Sequence, residues 1–462
     1  PELLITFSNY GGAVQGIELL NYREKESEKN VRLLNPKDSQ RSFAMQLLQN
    51  NRTVHDYPFT VIEKTDTDIT FQAVIDNLNI TKYYTLAAEG YLMKCAIEIH
   101  NIHDTQKMPL QYELSTTEKV DATNGFDKRF IRFSVYDGQK VHSTHFDKVK
   151  KRGSLVEGTV QWLALSKKYF GVFVKPQMAV EHMRARVIDN QFMQGIIKTP
   201  HRMIAPQDVL VDEYVAYFGP SQYDRLKALG YDFEKISVHG LWGMFRLALL
   251  LLLTFFYDLL HNYGFAIIAL TITIKIFMIP LTHKTFSSMK KMQDLQPKLK
   301  ALQEQYKGEP QKLNKEVMEM YKKHKVNPLG GCFPLLLQMP IFIALYQVLS
   351  EAVELRGAEF IWWITDLSEP DRLFNLPFAI PLVNIDSINL LPILMMFSMI
   401  WQQKMTPSSA QSKEQQNMML MMPIIFVFIF YNLPSGLVLY WFVNNILTVA
   451  QQMFMHRKAA PA

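Results

Sequence analysis

One lysine stands where the physical chemistry of its neighbours makes a cation expensive. Lys275 lies inside the run GFAIIALTITIKIFMIPLT, residues 264–282. A helix of roughly 20 apolar residues spans the ~30 Å hydrocarbon core of a bilayer. A charge near the middle of such a span costs on the order of 2.5–3.5 kcal/mol on insertion scales. Such a cation is explained by an aqueous notch, a buried partner, or a long stem snorkelling to the headgroups. Pro280 and several apolar residues separate Lys275 from the basic end of the run. The five apolar runs contain no Asp or Glu that would supply an intramembrane salt bridge. Thr271, Gln338, Gln402, Asn444 and Asn445 are the polar residues available to keep a cavity around it wet.

Other chemistry is thin. Asp121, Asp127, His142, His145 and Asp147 are scattered, and no spacing fixes two of them at a working distance. Cys95 and Cys332 offer neither a disulfide framework nor metal-ligand spacing. No GxxxxGK[ST] phosphate loop occurs, so no nucleotide is expected, and no metal or other cofactor is expected either. Enzymatic activity is not expected.

The chain that positions these residues has 462 residues, 48% of them hydrophobic, a net charge of +6 and a mean hydropathy of −0.03. Values near zero at this length indicate a water-soluble part joined to a membrane part. Residues 1–218 show period-two alternation, clearest at Ile69, Phe71, Ala73, Ile75 and at Tyr91, Met93, Cys95, Ile97, Ile99. Further runs at 2–7, 13–20, 56–63, 79–87, 108–117, 130–136, 160–165, 169–175 and 209–217 are bounded by turn residues. Many short strands imply a large antiparallel β-sandwich, a solvated surface without visible chemistry. Residues 219–263 read as a linker helix followed by the apolar run 241–260, which suits either a span or a helix lying in the interface. The chain opens on Pro1 with no early apolar run, and is expected to be a processed or trimmed product.

Five runs then qualify as spans: 264–282, 333–350, 388–403, 418–433 and 436–453. The segment 283–331 is rich in lysine, including Lys290, Lys291, Lys298, Lys322 and Lys323, whereas 351–387 is acidic. The positive-inside rule therefore puts 283–331 and the tail 456–462 in the cytoplasm. Apolar residues at helical spacing on either side of Lys307-Gly308-Glu309-Pro310 predict an αα-hairpin. Its roles are a solvated, orientation-setting loop or a docking device. Met395, Met396, Met399, Met405, Met418, Met419, Met421 and Met422 crowd two span ends, where flexible thioethers either pack or adapt to varied apolar partners.

Four segments together are similar to the signature of YidC-type membrane protein insertases, the YidC/Oxa/Alb family. They are KVNPLGGCFP at 325–334 continuing to QMPIF at 338–342, the hairpin's Met289, Met292 and LQPK at 295–298, WQQKM at 401–405, and LPSGLVLYW at 433–441. The closing Phe218-Gly219-Pro220 suits the Gram-negative type with a large periplasmic domain. The resemblance implies a multi-domain protein: a periplasmic all-β (super)sandwich at 1–218, a linker and interfacial amphipathic helix at 219–263, and an α-helical core of five transmembrane helices at 264–455. It implies a groove open to cytoplasm and lipid, with the matching cation at Lys275 and Thr271, Gln402, Tyr440 and Trp441 on its walls. Cys332, Pro334, Met395, Met399, Met418 and Met422 become candidates for client contact, and the hairpin lysines for docking. Expected partners are nascent membrane proteins, membrane lipids, the Sec translocon, a ribosome and the signal-recognition-particle receptor, with no direct nucleic-acid reading. The expected location is the bacterial inner membrane, multi-pass, with 1–263 on the periplasmic side. The family's usual residue at the groove position is Arg, and this chain has Lys, which keeps the charge and loses the planar fork. The competing class is a channel or secondary transporter using Lys275 as substrate counter-ion; the spans show no inverted repeat in its favour.

Overall fold

A computed structural model describes the chain except for residues 1, 25–27, 49–51, 121–126, 239–242, 325–332, 381–384, 406–412 and 460–462. It divides into two compact units, Pro1–Leu241 and Trp242–Ala462.

In the first unit every strand pairing among the described residues is antiparallel. A nine-stranded sheet runs in the order Val141–His145, Arg132–Tyr136, Trp162–Ser166, Phe170–Pro176, Val209–Pro220, Leu92–Asn101, Leu78–Leu86, Asp68–Ile75, Thr60–Lys64. A six-stranded sheet runs Ser154–Glu157, His182–Ile188, Phe192–Lys198, Tyr112–Lys119, Ala44–Leu47, Arg52–Thr53. The two sheets meet where Gly195 lets Leu163 and Leu165 approach: a Cβ there would lie 3.1 Å from Leu163 Cδ1. Trp162, Phe173, Tyr214 and Phe218 fill the core. Most of the runs expected from sequence coincide with strands of the nine-stranded sheet to within a few residues, whereas 2–7 and 13–20 pair with Asn30–Leu34 in a three-stranded sheet, and 108–117 divides into Met108–Leu110 and the six-stranded sheet's Tyr112–Lys119. Three strands of the six-stranded sheet lie outside the expected runs: Ala44–Leu47 is only four residues long, Phe192–Lys198 is buried on both faces and so does not alternate, and His182–Ile188 does alternate, with His182, Arg184 and Arg186 against Met183, Ala185 and Val187, a period-two signal that was available. The helix α1, Phe146–Arg152, was not anticipated either; α2 is Tyr223–Ala228.

Lys82 breaks the inward apolar pattern. Its side chain is fully buried, and Nζ donates to the carbonyls of Gly11 at 2.8 Å and Phe43 at 3.0 Å. Burial pushes its ammonium down to about 8. Through those two bonds the lysine ties the turn at 11 and the segment before Ala44–Leu47 to the nine-stranded sheet.

The second unit is helical: α3 Gly243–Leu260, α4 Tyr263–Asp294, α5 Gln296–Gln305, α6 Pro310–Lys323, α7 Phe333–Glu351, α8 Leu390–Met405, α9 Lys413–Phe430 and α10 Ser435–Ala459. Among the described residues two stretches are long and apolar enough to cross a membrane, Gly243–Leu260 with mean hydropathy 1.8 and Tyr263–His283 with 2.1. α4 does not stop at 282; its 32 residues form one helix, about 48 Å at 1.5 Å per residue, and outlast a bilayer core. α5 and α6 pack against each other through Leu299, Val317 and Tyr321, with Leu295 in the same cluster. The acidic segment between α7 and α8 contains a hairpin, Arg372–Ile380 with Ile385–Asn389, not expected from sequence. Asp371 just before it caps α8: its Oδ2 accepts from Leu391 N at 2.6 Å and Trp363 Nε1 at 3.0 Å.

Candidate functional site

The cation is placed by two helices whose starts are both pinned. Asn262 caps α4, accepting from Gly264 N at 2.9 Å and Phe265 N at 3.1 Å. Gly264 is needed for packing: a Cβ there would fall 1.9 Å from the Phe360 ring. At the start of α10, Ser435 N donates to Glu369 O at 2.6 Å and Gly436 N to Leu367 O at 2.9 Å. Gly436 also brings α10 close to α4, since its Cβ would stand 3.2 Å from Ile267 Cδ1. The Ser435 hydroxyl also donates to Asp366 O at 3.0 Å, so the LPSG segment has a physical reason for both Ser and Gly.

Twelve residues beyond Tyr263, about 18 Å along the helix, Lys275 reaches α10. Its Nζ donates to Thr448 Oγ1 at 2.6 Å and more weakly to Asn444 Oδ1 at 3.5 Å. The Thr448 hydroxyl spends its own proton on Asn444 O, 2.6 Å away, so an oxygen lone pair faces the amine. Among the described residues no carboxylate lies within 4.0 Å of Lys275. Tyr440, Asn444, Thr448 and Gln451 fall on one face of α10 at helical spacing. Tyr440 OH accepts from Gln338 Nε2 of α7, and Gln451 Nε2 donates to Thr282 Oγ1 of α4 at 2.8 Å. An adjoining face sends Asn445 Nδ2 to Ser398 Oγ of α8 at 3.0 Å. One helix therefore carries a column of polar side chains to three neighbours, and the column's cation is held by neutral oxygens.

The other expected residues fall in different environments. Thr271 is buried and its hydroxyl donates to Ile267 O of its own helix at 2.6 Å. Tyr440 is buried, and Trp441 packs among Phe342, Phe426 and Phe430, with centroids 5.1–5.6 Å apart. Gln402 is half-buried in the last turn of α8. Met395 is buried in the helical core, Met399 packs against it, and Met422 is exposed. Cys332, Asp121 and most of the KVNPLGGCFP segment lie outside the described residues, as do the side chains of Asp127, Pro334 and Met418. Lys291, Lys298, Lys322 and Lys323 are exposed on the basic segment, and Lys290 is half-buried. Sequence reading missed Thr448, although its i, i+4 relation to Asn444 inside an apolar run was the available signal. It also missed the ion pair of Arg246 on α3 with Glu351 at the end of α7, 2.9 Å apart with side chains 13% and 12% exposed. A carboxylate at a helix C-terminus opposes the helix dipole, and Arg246 offsets that.

The first 250 residues match the model of the YidC periplasmic domain, and residues 255–461 match that of the 60Kd inner membrane protein. The chain belongs to the YidC family of membrane protein insertases. The membrane protein insertase YidC of Pelobacter propionicus is 35% identical over 98% of this chain and 84% of its own length. That of Geobacter sulfurreducens is 34% identical over 100% and 86%. A crystal structure of an active YidC insertase with its first transmembrane domain resolved aligns with 97% of this chain and 89% of its own, at 17% identity and a TM-score of 0.42. The chain is thus an inner membrane protein whose mostly β-sheet periplasmic domain precedes a helical YidC-like region, and the family supports an insertase function. The homologues are named insertases, not enzymes.

Proposed function

We propose that the chain receives nascent membrane proteins in a positively charged, hydrated groove open to cytoplasm and lipid, and releases their apolar segments sideways into the bilayer without nucleotide hydrolysis. The observation that carries this reading is Lys275, an amine deep in an apolar helix that contacts two neutral oxygens of α10 and, among the described residues, no acid. An unpaired cation at such depth is tolerable where water reaches it. A wet, positive notch attracts an acidic or polar client tail and shortens its unsolvated path. Transfer of the client's apolar segment to lipid supplies about 25 cal/mol per Å² of buried apolar area.

In this reading five spans lie on α4 and α7–α10, and α3 lies in the outer interface. The domains are 1–218, 219–263 and 264–455, with the hairpin 283–331 and the tail 456–462 in the cytoplasm. Thr271, Gln402, Tyr440 and Trp441 border the groove. Cys332, Pro334, Met395, Met399, Met418 and Met422 meet the client. Lys290, Lys291, Lys298, Lys322 and Lys323 serve docking of a ribosome or the signal-recognition-particle receptor, and the Sec translocon is a working partner. The exposed, mixed apolar faces of α3 and α9 support contact with lipid, Phe255 being 60% and Phe428 57% exposed.

Reconstitution separates this from the transporter alternative. Proteoliposomes holding the purified chain insert a small single-span client to protease-protected topology and take up no panel solute. Uptake without insertion overturns the proposal. For topology, cysteines at Trp362 and Lys298 in a chain lacking Cys95 and Cys332 are labelled in intact cells with an impermeant thiol reagent. Trp362 labels and Lys298 does not; the reverse pattern refutes the orientation.

A further inference from the structure

One aromatic side chain of the helical unit is neither buried nor relaxed by the fold. Trp362, in the segment between α7 and α8, is 84% exposed, and its φ is +54°. That is the left-handed region, which glycine adopts freely and which strains a bulky residue. The turn that imposes it is closed by hydrogen bonds: Ile364 N donates to Ile361 O at 3.2 Å, and Phe360 N to Ile364 O at 2.9 Å. Trp363 supplies a fixed base. Its Nε1 donates to Asp371 Oδ2 at 3.0 Å, and the Trp362 indole stacks on it with ring centroids 5.8 Å apart. Trp362 thus projects from a rigid turn, and among the described residues no acceptor meets its own Nε1. Backbone strain of this kind gathers at binding sites, where a partner outside the packed chain makes use of it.

Position identifies the partner. The turn is fastened to the first residues of α4: Asn262 Nδ2 donates to Glu359 O at 3.3 Å and Phe360 O at 3.4 Å, and the Phe360 ring meets Phe265 edge-on, centroids 5.3 Å apart. Tyr263–His283 is the apolar stretch of α4 long enough to cross a membrane, and its Phe265, Ile272, Ile276 and Phe277 are exposed. In an inner membrane protein that surface faces lipid. Trp362 stands two residues from the attachment, where the span ends and hydrocarbon gives way to headgroups. Indole suits that layer: its flat apolar body enters the acyl boundary while its N–H meets ester carbonyls or phosphate. The surrounding segment 351–387 carries seven Asp and Glu against two Arg, so the ring, and not charge, draws it to the membrane. A second apolar projection rises from other helix ends. Phe374, 62% exposed, lies opposite Ile388 in the hairpin, which Tyr431 after α9 holds: its OH donates to Ser387 O at 2.7 Å, and its carbonyl accepts from Asn389 Nδ2 at 2.7 Å. We infer that the Trp362 ring inserts into the headgroup layer at the outer end of α4, with Phe374 and Ile388 as a second contact beside α9. This anchoring requires α4 to cross the bilayer, as proposed above. The thiol labelling at Trp362 and Lys298 tests that crossing by itself, since a cysteine at 362 has no ring to insert and stays open to an aqueous reagent.

The test uses the full chain, biosynthetically labelled with fluorotryptophan, in phosphatidylcholine nanodiscs and read by fluorine NMR. Loss of one signal in Trp362→Phe, confirmed in Trp362→Tyr, assigns Trp362, and Phe374→Trp adds a reporter at the second contact. Trp162, buried in the periplasmic unit, is the internal control. Lipid spin-labelled beside the headgroup broadens the Trp362 signal until it is lost, lipid labelled at the acyl terminus broadens it less, and the Trp162 signal survives both. The signal added by Phe374→Trp follows the same order. Anchoring at Trp362 is overturned if its signal survives the headgroup-level label or if the acyl-terminal label acts more strongly. It is overturned equally if the broadening appears only once a membrane-protein client is added, which would make the client the partner. The second contact is overturned if the added signal survives the headgroup-level label. With the thiol labelling as expected, any of these results removes the anchor and leaves the crossing of α4 standing.

Discussion

Thr448 offers the sharpest probe of the groove, because one methyl-for-hydroxyl exchange removes the shortest bond to Lys275 while keeping shape. In Thr448→Val the amine loses an acceptor at 2.6 Å and retains Asn444 Oδ1 at 3.5 Å, too long to compensate. A hydrogen bond to a charged group contributes about 1.5–3 kcal/mol, or roughly a 10- to 150-fold change in the population of the held amine. Thr448→Ser keeps the oxygen and its donation to Asn444 O. Lys275→Ala removes the cation itself, and Lys275→Arg keeps it. The assay is insertion of a single-span client with an acidic translocated tail, read by protease protection in cells depleted of their own insertase. The same client with a neutralised tail is the control. Thr448→Ser and Lys275→Arg insert at parental rates; Thr448→Val and Lys275→Ala slow the acidic client and spare the neutral one. If Thr448→Val and Thr448→Ser insert the acidic client equally well, the amine's placement by α10 is irrelevant. If Lys275→Ala also equals the parent, the charged-groove account fails outright.

Arg246 and Glu351 are paired at low exposure, so removing either charge with Arg246→Ala or Glu351→Gln destabilises the helical unit by about 3–5 kcal/mol. The double variant recovers part of the loss in a double-mutant cycle; additive losses would show the pair is uncoupled. Lys82 has a folded pKa of about 8 against 10.5 in the unfolded chain, so the unfolded state binds more protons between those values. Stability of the periplasmic unit therefore rises from pH 8 to 10.5, by roughly 3 kcal/mol at 1.36 kcal/mol per unit, and Lys82→Met abolishes that rise in denaturant melts; an unchanged slope refutes it. Asp371→Ala removes the cap of α8 and the partner of Trp363, costing about 1–2 kcal/mol. Hydrogen exchange at Leu391 then accelerates while that of α10 does not.

The chain's two halves were legible because solvent writes period and composition into sequence. Alternation at 69–75 and 91–99 marked strands with one wet face, and the runs at 264–282 and 436–453 marked helices meant for an apolar surrounding. The expensive cation was visible for the same reason: Lys275 contradicts its neighbours. Partners were not legible. Nothing local says that Thr448, 173 residues away, supplies the amine's acceptor, because that depends on how Gly436 lets α10 approach α4. Nor does any local pattern announce that Arg246 meets Glu351, or that Lys82, on an otherwise apolar inward face, ends on two carbonyls. Phe192–Lys198 gives no alternation because both of its faces are buried, whereas His182–Ile188 does alternate and was legible in principle. Sequence alone thus determined which segments seek water or apolar surroundings and where a charge is out of place. Tertiary structure decided which distant oxygens and charges answer each buried polar group, since hydrogen bonds and ion pairs act over a few ångströms and only the packed chain sets those distances.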